Sequence, residues 1–211
     1  MFRKLFLFGV FLFFHFCSYS QSLSGNITTT QVVLHERSEL TIHGKTNVNN
    51  FSCTLEDFDN NDTISFISNT KNEITYFENA LLKIPVLNFD CGQKMITSDF
   101  RELLNEPSYP EIKIDFLNIH PQKQSSGKGS LTQKSAFGYF EVEIEVAGVK
   151  RKTKVKILKE ERLAQERFIH GEVELDIKDF GLTAPEKMMG LIKVKDKISI
   201  AFQLSFYRLP D

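Results

Sequence analysis

From Glu39 to the end of the chain, apolar and polar residues alternate with a period of two, the signature of strands with one buried face. Leu40, Ile42 and Gly44 fall on one side of the first such strand, and Glu39, Thr41, His43 and Lys45 on the other. Further strands are predicted over Phe51 to Phe58, Ile64 to Ile67, Glu73 to Phe77, Leu81 to Cys91 and Glu111 to Ile119. Pro85 marks an edge or a bulge, because proline cannot donate to a ladder. One segment changes period: Ile96, Phe100, Leu103 and Leu104 share one face of a helix. Asp99 and Glu102 would form a capping box if that helix starts late, and Glu106-Pro107 stops it. Its length suits a lid or plug against the sheet.

A polar loop is predicted from His120 to Ser135, and the clearest local pattern follows it. Val142, Ile144 and Val146 alternate with Glu141, Glu143 and Glu145, while Thr153, Val155 and Ile157 alternate with Lys152, Lys154 and Lys156. A two-residue turn at Gly148-Val149 would make one hairpin of them. Glu145 then faces Lys152, Glu143 faces Lys154, Glu141 faces Lys156, Val142 faces Val155 and Phe140 faces Ile157. The lysine run is accordingly a solvated outer face and not a nucleic-acid patch. Lys159 to Arg167 reads as a charged connection with about one helical turn. Gly171, Val173, Leu175 and Ile177 line one face of the next strand. A long last strand from Leu191 to Phe206 is interrupted at Asp196.

One continuous apolar face over six or more antiparallel strands must be buried. The pattern predicts an all-β chain with one short helix, closed into a single antiparallel β-barrel, which removes the sheet edges. A sandwich satisfies the same pattern. At eight strands a barrel interior is filled by side chains or holds one slender ligand.

Residues 1–20 change the picture of where this happens. Arg3 and Lys4, an apolar run from Leu5 to Phe16, and Ser18-Tyr19-Ser20 have the layout of a secretory signal peptide, with cleavage expected after Ser20. The run is shorter than the roughly 20 residues that span a bilayer, so no integral membrane protein is expected. Acylation at Cys17 is disfavoured by the bulky Phe14-His15-Phe16 before it. The expected mature domain, 21–211, keeps 24 basic and 27 acidic side chains, a balance that argues against nucleic acid as the main partner. A periplasmic or otherwise exported location follows. Cys53 and Cys91 remain, and an oxidising compartment favours a disulfide between them over two buried free thiols.

Chemistry-bearing motifs are scarce. His35, His43, His120 and His170 all stand in polar or outward contexts, and no nucleophile elbow, zinc-protease helix or phosphate loop occurs. Asp179 and Asp196 are the acids on otherwise apolar faces. A turn cap and a bulge account for them better than a hydrolase acid–base pair. No catalytic residue, metal ligand or cofactor is expected, and a homodimer is left open.

The order of motifs resembles the YceI-like family of bacterial exported proteins. The resemblance rests on Ser38-Glu-Leu-Thr-Ile-His-Gly44 with Phe51, Met95 to Leu104 leading into Tyr109-Pro110-Glu-Ile112, the hairpin at Gly148, Asp179-Phe180-Gly181-Leu182, and the closing strand from Val194. It covers essentially the whole mature chain. It implies a lipocalin-like barrel whose apolar interior takes up a polyisoprenoid or related amphipathic lipid. The inward rows of the alternating strands, with the helix face, would supply that lining: Leu40, Ile42, Phe100, Leu104, Ile114, Phe116, Val142, Ile144, Val155, Val173, Leu175, Ile200 and Phe202. Two departures bear on head-group contacts: the family's opening Asp and His-Ser pair is reduced to Ser38, and Met95-Ile-Thr-Ser-Asp-Phe100 replaces its usual Arg-Asp and His-Leu pattern. An envelope interaction or stress protein with a filled barrel and no ligand is the alternative.

Overall fold

The structure, a computed structural model, describes residues 26–55, 58, 63–122, 137–187 and 191–209. The expected leader (residues 1–20), Cys17 and most of the His120 to Ser135 loop lie outside them. The first half of the chain forms β1 (Asn26–Leu34), β2 (Glu39–Lys45), β3 (Asn50–Leu55), β4 (Thr63–Lys71), β5 (Ile74–Glu78), β6 (Leu81–Pro85), β7 (Phe89–Asp90) and helix α1 (Lys94–Leu103). The second half forms β8 (Glu111–Pro121), β9 (Phe137–Val146), β10 (Val149–Leu163), β11 (Glu166–Asp176), β12 (Glu186–Lys187), β13 (Ile192–Lys193) and β14 (Lys197–Arg208).

All ladders are antiparallel. β1, β4, β5, β8, β9, β10, β11 and β14 follow one another around a ring, which closes where β14 pairs back onto β1. Two long strands serve different partners at their two ends. β14 pairs with β1 through Phe206 to Arg208 and with β2 through Ser199 to Gln203. β8 pairs with β5 through Asn118 and Ile119 and with β6 through Glu111 to Asp115. The barrel therefore has a fully closed end and a second end built from β2, β3, β7 and β6. There β6 is an edge strand, which is where Pro85 is tolerated. Where β14 changes partners, Ser38 replaces the missing ladder. Its buried hydroxyl donates to the Ser205 carbonyl at 3.1 Å and accepts from the Ser205 amide at 3.0 Å.

Several sequence expectations need correction. β1 was not foreseen: Thr28-Thr29-Thr30 mask alternation, although threonine suits strands. Lys159 to Arg167 holds no helical turn but the end of β10 and the start of β11, joined at Ala164-Gln165. Neither face of that extension is buried, so no apolar period marks it. Leu81 to Cys91 is two strands separated by a 3-10 turn at Val86–Asn88. The last strand is also divided: Ile192–Lys193 leaves to pair with β12, and β14 starts after Asp196. Helix α1 begins at Lys94, so Asp99 and Glu102 lie well past its start and form no capping box.

The β9–β10 hairpin has the expected faces in a different register. Its turn is Ala147-Gly148, with φ of 48° and 78°, as a turn with both central residues left-handed requires. Glu145 thus faces Lys150, Glu143 faces Lys152, Glu141 faces Lys154, Val142 faces Thr153 and Phe140 faces Val155. A two-residue shift keeps every side chain on its side of the sheet. Charge alternation is therefore blind to it.

Asp115 of β8 faces Glu143 directly. Burial, and then the Glu143 charge, raise the Asp115 carboxyl above its ordinary range, with Lys150 opposing. A carboxyl with a raised folded-state pKa weakens the fold when ionised, and the penalty fades as pH falls through that value. Asp115→Asn should therefore stabilise at neutral pH and become neutral in acid, read from urea midpoints at the two pH values. A gain that persists in acid would contradict this. Glu143 pairs with Lys150 at 3.4 Å. Its loss in Glu143→Ala should cost under about 1 kcal/mol, whereas Val155→Asp on the inner face should cost several times more.

Two glycines are set against aromatic rings across the ladder: Gly44 opposite Phe51 and Gly171 opposite Phe202. A Cβ at Gly44 would enter the Phe51 ring. One at Gly171 would enter the Phe202 ring and also lie 2.8 Å from the Lys156 carbonyl oxygen. Gly44→Ala should cost about 1–3 kcal/mol, and Phe51→Ala in the same chain should relieve that added clash. Phe202→Ala should relieve Gly171→Ala only in part, because the Lys156 backbone stays. Urea double-mutant cycles measure both couplings, and additivity at Gly44 and Phe51 would refute the packing.

Candidate ligand cavity

Inward side chains of the ring fill one end of the barrel and leave the other end hollow. At the closed end Ile119, Phe140, Ile157 and Ile169 are buried in one cluster, with Phe77 and Phe206 packed against it. Towards the other end the same inward rows continue as smaller aliphatic residues around a cavity of about 780 Å³. Its floor is marked by the Phe116 and Phe140 rings, 5.3 Å apart and edge to face. Phe116 lines the cavity, whereas Phe140 lies behind it.

The structure brings all the sequence-inferred positions to this wall. Leu40 and Ile42 come from β2, Ile114 and Phe116 from β8, and Val142 and Ile144 from β9. Val155 comes from β10, Val173 and Leu175 from β11, and Ile200 and Phe202 from β14. Phe100 and Leu104 reach it from α1 and the residue after it. Sequence reasoning missed Leu82 and Ile84 of β6, although Leu82-Lys83-Ile84 alternates, and Phe51 of β3. It also missed the polar lining residues Asn49, Asn50, Gln93 and Lys195, since polar residues near turns carry no periodic signal, and Asp99, an acid inside α1.

Helix α1 stands at the mouth. Met95, Ile96, Asp99, Phe100 and Leu103 all line the cavity, and Phe100 meets Phe89 with ring centroids 5.3 Å apart. No side chain caps its N-terminus. A clasp holds it instead: the Thr97 hydroxyl donates to Asp90 at 3.0 Å and accepts from the Cys91 amide at 3.0 Å. Arg101 donates to the Leu87 carbonyl at 2.7 Å. Beside this clasp Cys53 and Cys91 form the expected disulfide, and both line the cavity wall. The opposite rim is the Thr46 to Asn49 turn tied to the β12–β13 hairpin. Asn47 donates to the Leu191 carbonyl at 2.8 Å and accepts from the Lys193 amide at 3.0 Å.

No arrangement suited to nucleophilic catalysis is seen among the described residues. Ser205 is fully buried, and its hydroxyl is given to Glu166, which also pairs with Arg37 and lies 3.7 Å from His35. The carboxylate stands between serine and histidine, so His35 does not reach the hydroxyl, and the full burial of Ser205 keeps that hydroxyl from any substrate. His170 pairs with Glu161, and His120 stacks on Tyr139. Asp196 is paired with Lys178, and Asp179 is exposed in the 3-10 turn Ile177–Phe180. Among the described residues no group of three or more His, Cys, Asp or Glu is placed to hold a metal, and no helix is long and apolar enough to cross a membrane.

The sequence pattern of a family described as YceI-like domain matches residues 57–206. No curated protein matches the chain. Among solved structures, Burkholderia cenocepacia BcnA superposes with a TM-score of 0.51 at 16% identity, over 80% of this chain and 95% of that one. A polyisoprenoid binding domain from Saccharophagus degradans, implicated in plant cell wall breakdown, superposes with a TM-score of 0.52 at 9% identity, over 83% of this chain and 97% of that one. At such identities these likenesses establish the shared fold.

Proposed function

Because the chain belongs to the YceI-like family, we propose that it is an exported carrier that holds a polyisoprenoid or similar amphipathic lipid, and that it binds without catalysing a reaction. The observation that carries this reading is the cavity itself. Its volume of about 780 Å³ lies within the roughly 300–1,000 Å³ of small-molecule pockets. Its deep wall is aliphatic and aromatic, and its polar residues stand at the rim. Such a lining has no interior donor set to orient a sugar or nucleotide. It rewards a long apolar chain, at about 0.8 kcal/mol for each buried methylene. The head group would stay near Asn49, Gln93 and Lys195. The hollow end favours this reading over a filled barrel with no ligand. The fold shared with a polyisoprenoid binding domain makes a polyprenol or an isoprenoid quinone the first ligand to try. The leader-like residues 1–20 and the Cys53–Cys91 disulfide support a periplasmic setting.

Native mass spectrometry of protein purified from its own envelope tests the proposal. The expected spectrum shows one extractable isoprenoid or comparable lipid per chain. Lipid-free protein that also takes up neither polyprenols nor quinones in a fluorescence-quenching titration would overturn it.

A further inference from the structure

We propose that the rim of the cavity is a docking surface for a lipid bilayer carrying anionic head groups, so that cargo passes between membrane and barrel without crossing water. The inference rests on the carrier reading above. Three of the most exposed large apolar residues stand on the three segments that frame the mouth. Leu191 is 70% exposed on the approach to β13, Val48 is 65% exposed in the Thr46 to Asn49 turn, and Met95 is 64% exposed on α1. The segments that carry Val48 and Leu191 are tied together. Asn47, beside Val48, bonds to the Leu191 carbonyl, and Thr46 bridges to Val194. Thr46, Met95 and Val194 all line the same cavity. Large apolar groups gathered in water at the opening of an apolar space mark an interaction surface.

Charge selects the partner. Lys45, Lys94 and Lys195 are exposed around the same opening, and the Lys195 amide bonds to the Lys45 carbonyl at 2.8 Å, which places these two side by side. Asp99 is the carboxylate on the cavity wall, and Glu186 of the adjoining hairpin is held by Lys193 at 3.0 Å. A collar of apolar side chains flanked by lysines matches the membrane interface, where apolar groups enter the acyl boundary and ammonium groups meet anionic heads.

The test uses the whole mature protein and the double variant Val48→Asp/Leu191→Asp, both changes being at exposed positions off the cavity wall. Wild-type protein should co-float with phosphatidylcholine vesicles containing phosphatidylglycerol, less with phosphatidylcholine alone, and less again as salt is raised. The double variant should lose flotation and take up a fluorescent polyprenol from those vesicles about tenfold more slowly. It should load the same polyprenol from detergent micelles as wild type does. Equal flotation of the two proteins, or no flotation of either, would overturn the proposal, as would a wild-type dimer that the double variant dissolves. Failure of both proteins to load from micelles would instead strike the carrier reading, while the flotation arm still decides the docking surface.

Discussion

Ile200→Glu is expected to give a folded barrel that no longer takes up a polyisoprenoid. Ile200 lines the cavity between Val173 of β11 and Ile42 of β2, both of which line it too. A chain running from the rim towards Phe116 must pass it. An ionised carboxylate there loses water without gaining a partner, so burying an apolar chain against it costs several kcal/mol. That exceeds the roughly 0.8 kcal/mol that any one methylene returns. The new carboxyl should titrate above the ordinary carboxylate range, because burial disfavours its charge. Uptake should consequently recover in part as pH falls through that raised value. Circular dichroism checks the fold and quenching of a fluorescent polyprenol checks uptake. Wild-type uptake by a folded variant at neutral pH would remove the cavity from the proposed function.

The largest stability loss should come from Cys53→Ser/Cys91→Ser. The bond spans a sequence separation of 38, and loop entropy for that length corresponds to about 4 kcal/mol. Its position adds a local reason. β3 and β7 share two ladder pairs, Thr54 with Asp90 and Leu55 with Phe89, and the disulfide continues that register as a covalent link. Just beyond it the chain enters α1. The loss should therefore concentrate at the open end, with faster hydrogen exchange in β7 and α1 than in the ring strands β9 to β11. An unfolding free energy from urea titration within about 1 kcal/mol of wild type, or a uniform rise in exchange, would contradict this. Non-reducing intact mass reports the bond directly as the loss of two hydrogens.

The inward and outward faces were legible wherever one side of a strand is buried and the other solvated, as in Val142, Ile144 and Val155 against Glu143 and Lys154. Partnership was not. Moving β10 by two residues exchanges Lys154 for Lys152 opposite Glu143 and alters no face, so the choice fell to the turn, where Ala147 accepts a left-handed conformation. Strands without a buried face, such as the Lys159 to Leu163 end of β10, carry no period to read. The candidate site shows the same limit. Phe140, Ile157 and Ile169 alternate just as Val142, Val155 and Val173 do. Depth along the barrel, which alternation does not encode, separates floor from wall. Asn49 and Gln93 at the rim look like ordinary turn residues until the fold carries them to one opening.

The exchange of partners along β14 has a consequence for the order of assembly. This strand follows every other described strand, and it alone joins β11 to both β1 and β2. Its pairing of Val32 with Arg208 links residues near opposite ends of the described chain. A growing polypeptide that has not yet reached Lys197 can form the β9–β10 hairpin and extend it through β11, but it has nothing to close the ring. Contacts so distant in sequence carry a loop-closure cost that must be met before they return any stability, which makes barrels slow relative to hairpins. The ring thus stays open until β14 has been made and has paired with both β11 and β1.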